Sequence, residues 1–408
     1  MRFTSDTVLI RELSALADGE RRVVVSGNFA TPTVALSAVD AALPEYRLFV
    51  LNGQPGLPDR PGVTYETPFV GPAVRGHPQL CYIPCRLSLV PRLFAESRRP
   101  DLVVLHTTPP VGGKVSLGVE VNILPAAVEA ARRHGGRVVA QLNPRMPYVY
   151  GDGELPTELI DLAIEAEQPL ASPAERSESG LATLIGERVG ALIGDGSTLQ
   201  LGIGAIPDGT LGSLSNRRGL RLWSEMFSDG VLALERAGAL DVSTALVSSF
   251  LFGSPDLYAW ADRNPRVRLL RTEATNDPSR IAAQRAMTSV NAALEVDLYA
   301  QANASRVRGR IYSGLGGQTD FIVGALHSAG GQAIVALPSW HPRADVSTVV
   351  PVLPGPVTSF QHSWIVSEQG AAAIWPQSER EQTAALIRHV AHPNVRAELA
   401  AAAAGRGL

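Results

Sequence analysis

Gly202-Ile203-Gly204 follows an apolar run that begins at Leu199, and Glu225 stands about twenty residues further on, at the end of a second apolar run, Arg221-Leu-Trp-Ser-Glu. A glycine loop that opens a helix exposes backbone N–H groups and the positive end of the helix dipole, which suits an anion or a developing oxyanion. A carboxylate beside such a loop is a candidate nucleophile or base. The elements that must hold these groups read as strand, glycine loop, a helix started by Pro207, and a second strand ending on Glu225.

Residues 286–325 form a second polar, glycine-rich region. Asn291 to Asp297 is strand-like, and Tyr312-Ser-Gly314-Leu-Gly316-Gly317-Gln318-Thr-Asp320 opens a helix running to about His327. Gly314, Gly316 and Gly317 allow close backbone approach by a bulky ligand and could form a nest of N–H groups; the plainer alternative is a glycine-rich tight turn.

Other chemistries have weaker footing. Gly202-x-Gly204 with Glu225 imitates a dinucleotide fingerprint, but Pro207 stands where that fingerprint needs glycine or alanine. Ser116-Leu-Gly118 is no nucleophile elbow. The eight histidines are scattered, and His389 and His392 lack further ligands, so no metal is expected. Cys81 and Cys85 read as ordinary thiols rather than a disulfide framework. Lys114 is the only lysine, so a Schiff-base mechanism has at most that one residue to use.

The 408 residues suggest two or three domains of ordinary size, and 18% charged with 45% hydrophobic residues is a globular composition. A formal net charge of −3 gives no reason to expect nucleic acid or an anionic membrane as partner. The N-terminus lacks the apolar core of a signal peptide, and no run approaches a membrane span, so a cytoplasmic location is expected. A homodimer is the default expectation for assembly.

Alternating strands and helices predict an α/β architecture with a largely parallel sheet. Helices are expected over residues 5–20, 33–42 and 124–134, and strands over 22–26, 47–51, 102–106 and 137–142. A polar, proline-punctuated stretch near 170–180 places a boundary between domains 1–175 and 176–408. The halves also match in order. Gly27-x-x-Ala30-x-Pro32 parallels Gly202-x-x-Ala205-x-Pro207, Arg47 to Leu51 parallels Arg221 to Glu225, and Gly135-Gly parallels Gly330-Gly. An internal duplication follows, in which Leu51 is the twin of Glu225. An ionisable group whose twin is apolar suggests a task rather than packing.

These motifs, with Ser116 to Gly118, Asn143-Pro-Arg-Met146-Pro147 and Ala391-His-Pro-Asn-Val-Arg396, stand in one order along the whole chain. Together the chain resembles the acetyl-CoA hydrolase/transferase family, in particular its short bacterial branch like 4-hydroxybutyrate CoA-transferase. The resemblance implies two related open-sheet α/β domains of the ribose-phosphate-isomerase-like CoA-transferase fold, arising from duplication. It implies Glu225 as a nucleophile passing through acyl-glutamyl anhydride and glutamyl-CoA thioester, and backbone N–H groups around Gly202, Ile203, Gly204 and Gly317 as oxyanion donors with Asn291 nearby. CoA, a substrate rather than a bound cofactor, is expected across Gly314, Gly316, Gly317, Gln318 and Asp320. The acyl group is expected in a cleft between domains, near Ser116, Gly118, Asn143, Met146, Trp223 and Ser224. Departures are Trp223-Ser224 where the family commonly has His-Thr, Val323 for an arginine, no arginine from Thr358 to His362, and Trp375-Pro-Gln for Gly-Lys. Two further readings stay open: an acyl-CoA hydrolase using the same glutamate, and a non-catalytic acyl-CoA sensor.

Overall fold

The computed structural model describes residues 1–173, 180–355, 357 and 361–408. The expected boundary at 175 and Thr358 to Phe360 lie outside these residues. The chain forms two compact units. The first holds Met1–Pro173 together with two later segments, Val247–Thr275 and Ile311–Gly316. The described residues of the second are 180–246, 276–310 and those from Gly317 onward.

The first unit is built on an eight-stranded sheet whose strands are β1 (Arg2–Phe3), β2 (Arg21–Val25), β3 (Tyr46–Val50), β4 (Val63–Thr67), β5 (Leu80–Tyr82), β6 (Leu102–Thr107), β7 (Arg137–Leu142) and β8 (Leu162–Glu165). Their order is β1-β8-β7-β6-β2-β3-β4-β5, and every pairing is parallel. Parallel strands covered on both faces read as continuous apolar runs rather than alternating ones. β6, Leu-Val-Val-Leu-His-Thr, is buried at every position for this reason. The helix Thr33–Ala42 turns Leu36 and Val39 onto Val23, Val25 and Leu48 to make the core on one face.

Six strands of the second unit's main sheet are β9 (Thr198–Leu201), β10 (Arg221–Trp223), β11 (Met287–Ala292), β12 (Gln332–Ala336), β13 (Trp364–Ser367) and β14 (Gly370–Ala373). The order β13-β12-β11-β9-β10 is all parallel, with β14 added antiparallel to β13. It repeats β8-β7-β6-β2-β3 of the first unit strand for strand, so the duplication inferred from short motifs holds at the level of topology. Val335, Ile365 and Leu386 centre one core cluster of this unit, and Met287, Phe321 and Ile281 another.

Three details differ from the sequence reading. The helix after the glycine loop begins at Ala205, capped by Gly204, so Pro207 is its third residue; the first-turn N–H groups have no intrahelical partner, and a proline there removes nothing. β10 stops at Trp223, leaving Glu225 two residues beyond it rather than on its last position. The run from Asn291 to Asp297 splits into β11 and a separate short strand, Glu295–Asp297.

Candidate active site

Glu225 follows a strand end that is fastened from below. The buried Ser224 donates from Oγ to the Leu201 carbonyl at 3.2 Å, tying the end of β10 to the end of β9, where the glycine loop begins. That loop is open: a Cβ added to Gly202 or Gly204 would meet nothing within 4 Å, and Ile203 is 39% exposed. Gly204 has φ +134°, a conformation that side chains rarely adopt, so glycine is needed there to turn the chain into the helix.

Two helices deliver the partners of Glu225. One is Pro278–Ala282, fixed at its start by Pro278 and by Asp277, whose carboxylate accepts the N–H of Ser279. The other is Gln318–His327, with Gly317 at its N-cap. They pack where Gly324 meets Ile281, so tightly that a Cβ on Gly324 would lie 2.5 Å from that of Ile281. This contact brings Asn276, just ahead of the first helix, and Gly317, just ahead of the second, to the same carboxyl group. Asn276 Nδ2 donates to Glu225 Oε2 at 3.1 Å, and the Gly317 N–H donates to the same side chain. A Cβ on Gly317 would fall 2.0 Å from Oε2 and 2.3 Å from Asn276 Nδ2. Only glycine leaves room for this arrangement.

Burial of its carboxyl group pushes Glu225 up to about 7, although the residue as a whole is half-buried. The Asn276 hydrogen bond opposes the shift, the negative charge of fully buried Asp320 adds to it, and the Gly317 N–H opposes it. The group therefore titrates near neutrality, where a desolvated carboxylate is both present and reactive.

The remaining expected residues fall into distinct settings. Asp320 is fully buried on the first turn of its helix. Gln318 has its Nε2 buried without a hydrogen-bond partner among the described residues, leaving a donor to spare. Asn291, on β11, donates to Ser289 Oγ at 2.8 Å and reaches Gln200 Oε1 at 3.4 Å. Trp223 packs on the cluster of Ile281, Met287 and Phe321.

Gly314 and Gly316 belong to the first unit, and there they meet the protein's own chain. A Cβ on Gly314 would lie 2.3 Å from the Pro68 carbonyl, and one on Gly316 3.1 Å from the Phe69 ring. Ser116 and Asn143, in the same unit, are committed internally. Ser116 Oγ donates to the Val149 carbonyl and accepts from the N–H groups of Gly118 and Val149. Asn143 Nδ2 reaches His106 Nε2 at 3.0 Å and the Gln168 carbonyl at 2.7 Å, and its Oδ1 accepts from two backbone N–H groups. Burial holds that histidine down at about 4, so it is a neutral partner. Gly118 lies against Met146, which lines a cavity of about 770 Å³ with Thr108, Pro144, Tyr148 and Tyr258.

Asn276 is the functional candidate that motif reading passed over, because Asn-Asp-Pro reads as a turn and helix-start signal. Its complete burial is what separates it from an ordinary turn residue. Among the described residues no group of three or more His, Cys, Asp or Glu is placed to hold a metal ion, and no helix is long and apolar enough to cross a membrane.

The chain belongs to the acetyl-CoA hydrolase/transferase family, and so to a family of enzymes: the model of that family's C-terminal domain matches residues 253–403, and a 4-hydroxybutyrate coenzyme A transferase of Clostridium kluyveri is 36% identical over 330 residues, covering 78% of this chain and 76% of that one. RipA from Yersinia pestis superimposes with a TM-score of 0.92 at 27% identity, over 100% of this chain and 98% of that one. A 4-hydroxybutyrate CoA-transferase from Porphyromonas gingivalis gives 0.82 at 28% identity, over 99% and 98%.

Proposed function

We propose that this protein moves CoA between a short-chain acyl-CoA and a carboxylate, with Glu225 as the covalent nucleophile. The observation that carries the reading is the state of Glu225: a desolvated carboxylate held by Asn276 and the Gly317 N–H and titrating near neutrality. One carboxylate oxygen attacks the thioester carbonyl, and the C–S bond breaks to give an acyl-glutamyl anhydride and CoA thiolate. The thiolate then attacks the glutamyl carbonyl of the anhydride, releasing the first carboxylate and leaving a glutamyl-CoA thioester. An incoming carboxylate displaces the thiolate to form a new anhydride, and the thiolate takes its acyl group, freeing Glu225. Each step exchanges one activated acyl bond for another, so positioning and desolvation supply much of the rate.

The Gly317 N–H has a direct part in this scheme. When thiolate attacks the glutamyl carbonyl, negative charge develops on an oxygen that Glu225 already presents to that N–H, and the open loop around Ile203 offers backbone donors to the substrate's own oxyanion. A donor of this kind is worth about 2.7–4 kcal/mol in the transition state. The spare donor of Gln318 supports a role in holding the thioester substrate. No tightly bound cofactor is required.

The test is incubation with acetyl-CoA, with and without a panel of carboxylates, followed by mass spectrometry of the Glu225 peptide. Acceptor-dependent formation of a new acyl-CoA with a CoA adduct on Glu225 is expected. CoA release that ignores every acceptor makes the protein a hydrolase using the same residue. No adduct and no turnover across a range of acyl-CoAs identifies a sensor.

A further inference from the structure

β9 and β11 are central strands of a parallel sheet, where buried positions are ordinarily apolar. Three positions here are not. Gln200 and Ser289 are 4% and 0% exposed and pair across the two strands, and Asn291 lies on the same face two residues beyond Ser289. Ser289 Oγ donates to Gln200 Oε1 at 2.7 Å. Asn291 Nδ2 donates to Ser289 Oγ at 2.8 Å and reaches Gln200 Oε1 at 3.4 Å. The carboxamide is thereby held with both of its hydrogens turned toward the ladder, and the half-buried Asn291 has an Oδ1 that accepts no hydrogen bond among the described residues.

The duplication shows that the fold does not require this ladder. Gly27 parallels Gly202, so Val25 of β2 parallels Gln200; Val25 pairs with Val104 of β6 just as Gln200 pairs with Ser289 of β11. Both valines are fully buried. A hydrogen-bonded polar pair where the twin sheet packs two valines implies a task, by the same logic that singles out Glu225 against Leu51.

The ladder ends at the site. Leu201 pairs with Val290, so Asn291, next along β11, stands at the level of Gly202, where β9 ends and the glycine loop opens. β10, which leads to Glu225, lies on the other side of β9, so the strands that carry Asn291 and Glu225 are two spacings apart, about 10 Å. Ligands of open α/β sheets bind at this carboxyl edge. The hydrogens that an oxyanion would need from Asn291 are taken by Ser289 and Gln200, so what the residue presents is an acceptor. The reacting end of an acyl-CoA carries a matching donor, the amide N–H nearest the sulfur, separated from it by two methylene groups. Resting on the CoA-thioester reading above, we propose that Asn291 Oδ1 accepts this N–H, and that Ser289 and Gln200 are positioning residues that orient the carboxamide to receive it.

Steady-state kinetics with acetyl-CoA, and with an analogue in which an ester oxygen replaces that amide N–H, test this on the parent, Asn291→Ala, Ser289→Ala and the double variant. The analogue sets a lone pair against Oδ1, so the parent's KM for it is expected to lie about tenfold above that for acetyl-CoA, the equivalent of roughly 1.4 kcal/mol, with kcat little changed. Asn291→Ala is expected to treat the two thioesters alike. Ser289→Ala is expected to lose most of the discrimination, while the double variant has no higher KM for acetyl-CoA than Asn291→Ala, because Ser289 acts through Asn291. Gln200→Met breaks the ladder from its other end and replaces Ser289→Ala if that fully buried change prevents folding. A parent that does not distinguish the two thioesters, an Asn291→Ala enzyme that still does, or losses that add in the double variant overturns the proposal and leaves the transferase reading intact. If the parent turns over no thioester, that reading fails, and calorimetric titration with CoA and its ester analogue decides. CoA binding that is tighter than the analogue's, and loses that advantage in Asn291→Ala, supports the contact; any other result overturns it.

Discussion

Asn276 Nδ2 and Glu225 Oε2 are joined by a 3.1 Å hydrogen bond, and this contact works against the burial that holds Glu225 up at about 7. Removing it in Asn276→Ala takes away a donor that favours the ionised form. The acid limb of the kcat/KM profile is expected to move to higher pH, with loss of activity at neutral pH that is partly recovered at pH 9. An acid limb that stays in place would show that Asn276 acts otherwise than through the charge state of Glu225.

Asp320 acts in the opposite sense, since its negative charge adds to the upward shift. Asp320→Asn is expected to move the acid limb down, toward the usual carboxylate range. Circular dichroism and melting temperature would accompany the profile, because Asp320 is fully buried.

Gly317→Ala separates catalysis from stability. Gly317 has φ −95°, which any residue adopts, so the backbone accepts alanine without strain. The new methyl would instead fall 2.0 Å from Glu225 Oε2 and 2.3 Å from Asn276 Nδ2, so it is these two polar side-chain ends that must give way and not the backbone. Alanine keeps the N–H but pushes the Glu225 carboxyl group away from it, so a loss of kcat by about 10²–10³-fold, comparable to losing one oxyanion donor, is expected with little change in melting temperature. Activity within a few-fold of the parent would remove the site from this position.

Glu225→Gln is expected to abolish transfer and to change how stability depends on pH. The ordinary value for the side chain is 4.5 and the folded value about 7. Folding of the parent therefore takes up a proton between these values, and its stability falls as pH rises through that window. The variant lacks this slope, so its melting temperature should exceed the parent's by a margin that grows from pH 4.5 to 7 and then levels. A constant margin would indicate that Glu225 is ordinarily solvated.

Leu51→Ala probes the twin position. Leu51 is 3% exposed, so the change is expected to destabilise by about 2–5 kcal/mol, measured by denaturant unfolding, while activity per folded molecule is preserved.

Much of this fold could be read from residue types. The parallel strands announce themselves as apolar runs, and comparing Leu51 with Glu225 isolates the one acid that replaces a buried leucine at a strand end. What surrounds that acid was less legible. Asn276 reaches Glu225 only because two helices close at Gly324 and Ile281, a contact between segments more than forty residues apart, and its local sequence advertises nothing beyond a turn. Asp320 reads as a ligand contact from its place in a glycine-rich motif, but the helix turns it inward, where it acts on Glu225 by charge. Ser116 and Asn143 look available because they are polar and lie beside turns. Their hydrogen bonds are nevertheless all supplied by the first unit, which pattern alone does not reveal.

The first compact unit draws on segments as late as Ile311–Gly316. During synthesis, its full set of contacts therefore becomes available only after residue 316 has left the ribosome, when much of the second unit has already been made. The two halves of the duplication cannot mature strictly one after the other, as independent domains in tandem do. A fragment ending near residue 175 would lack two pieces of its own scaffold, so the ancestral duplication is no longer a line along which the chain can be cut.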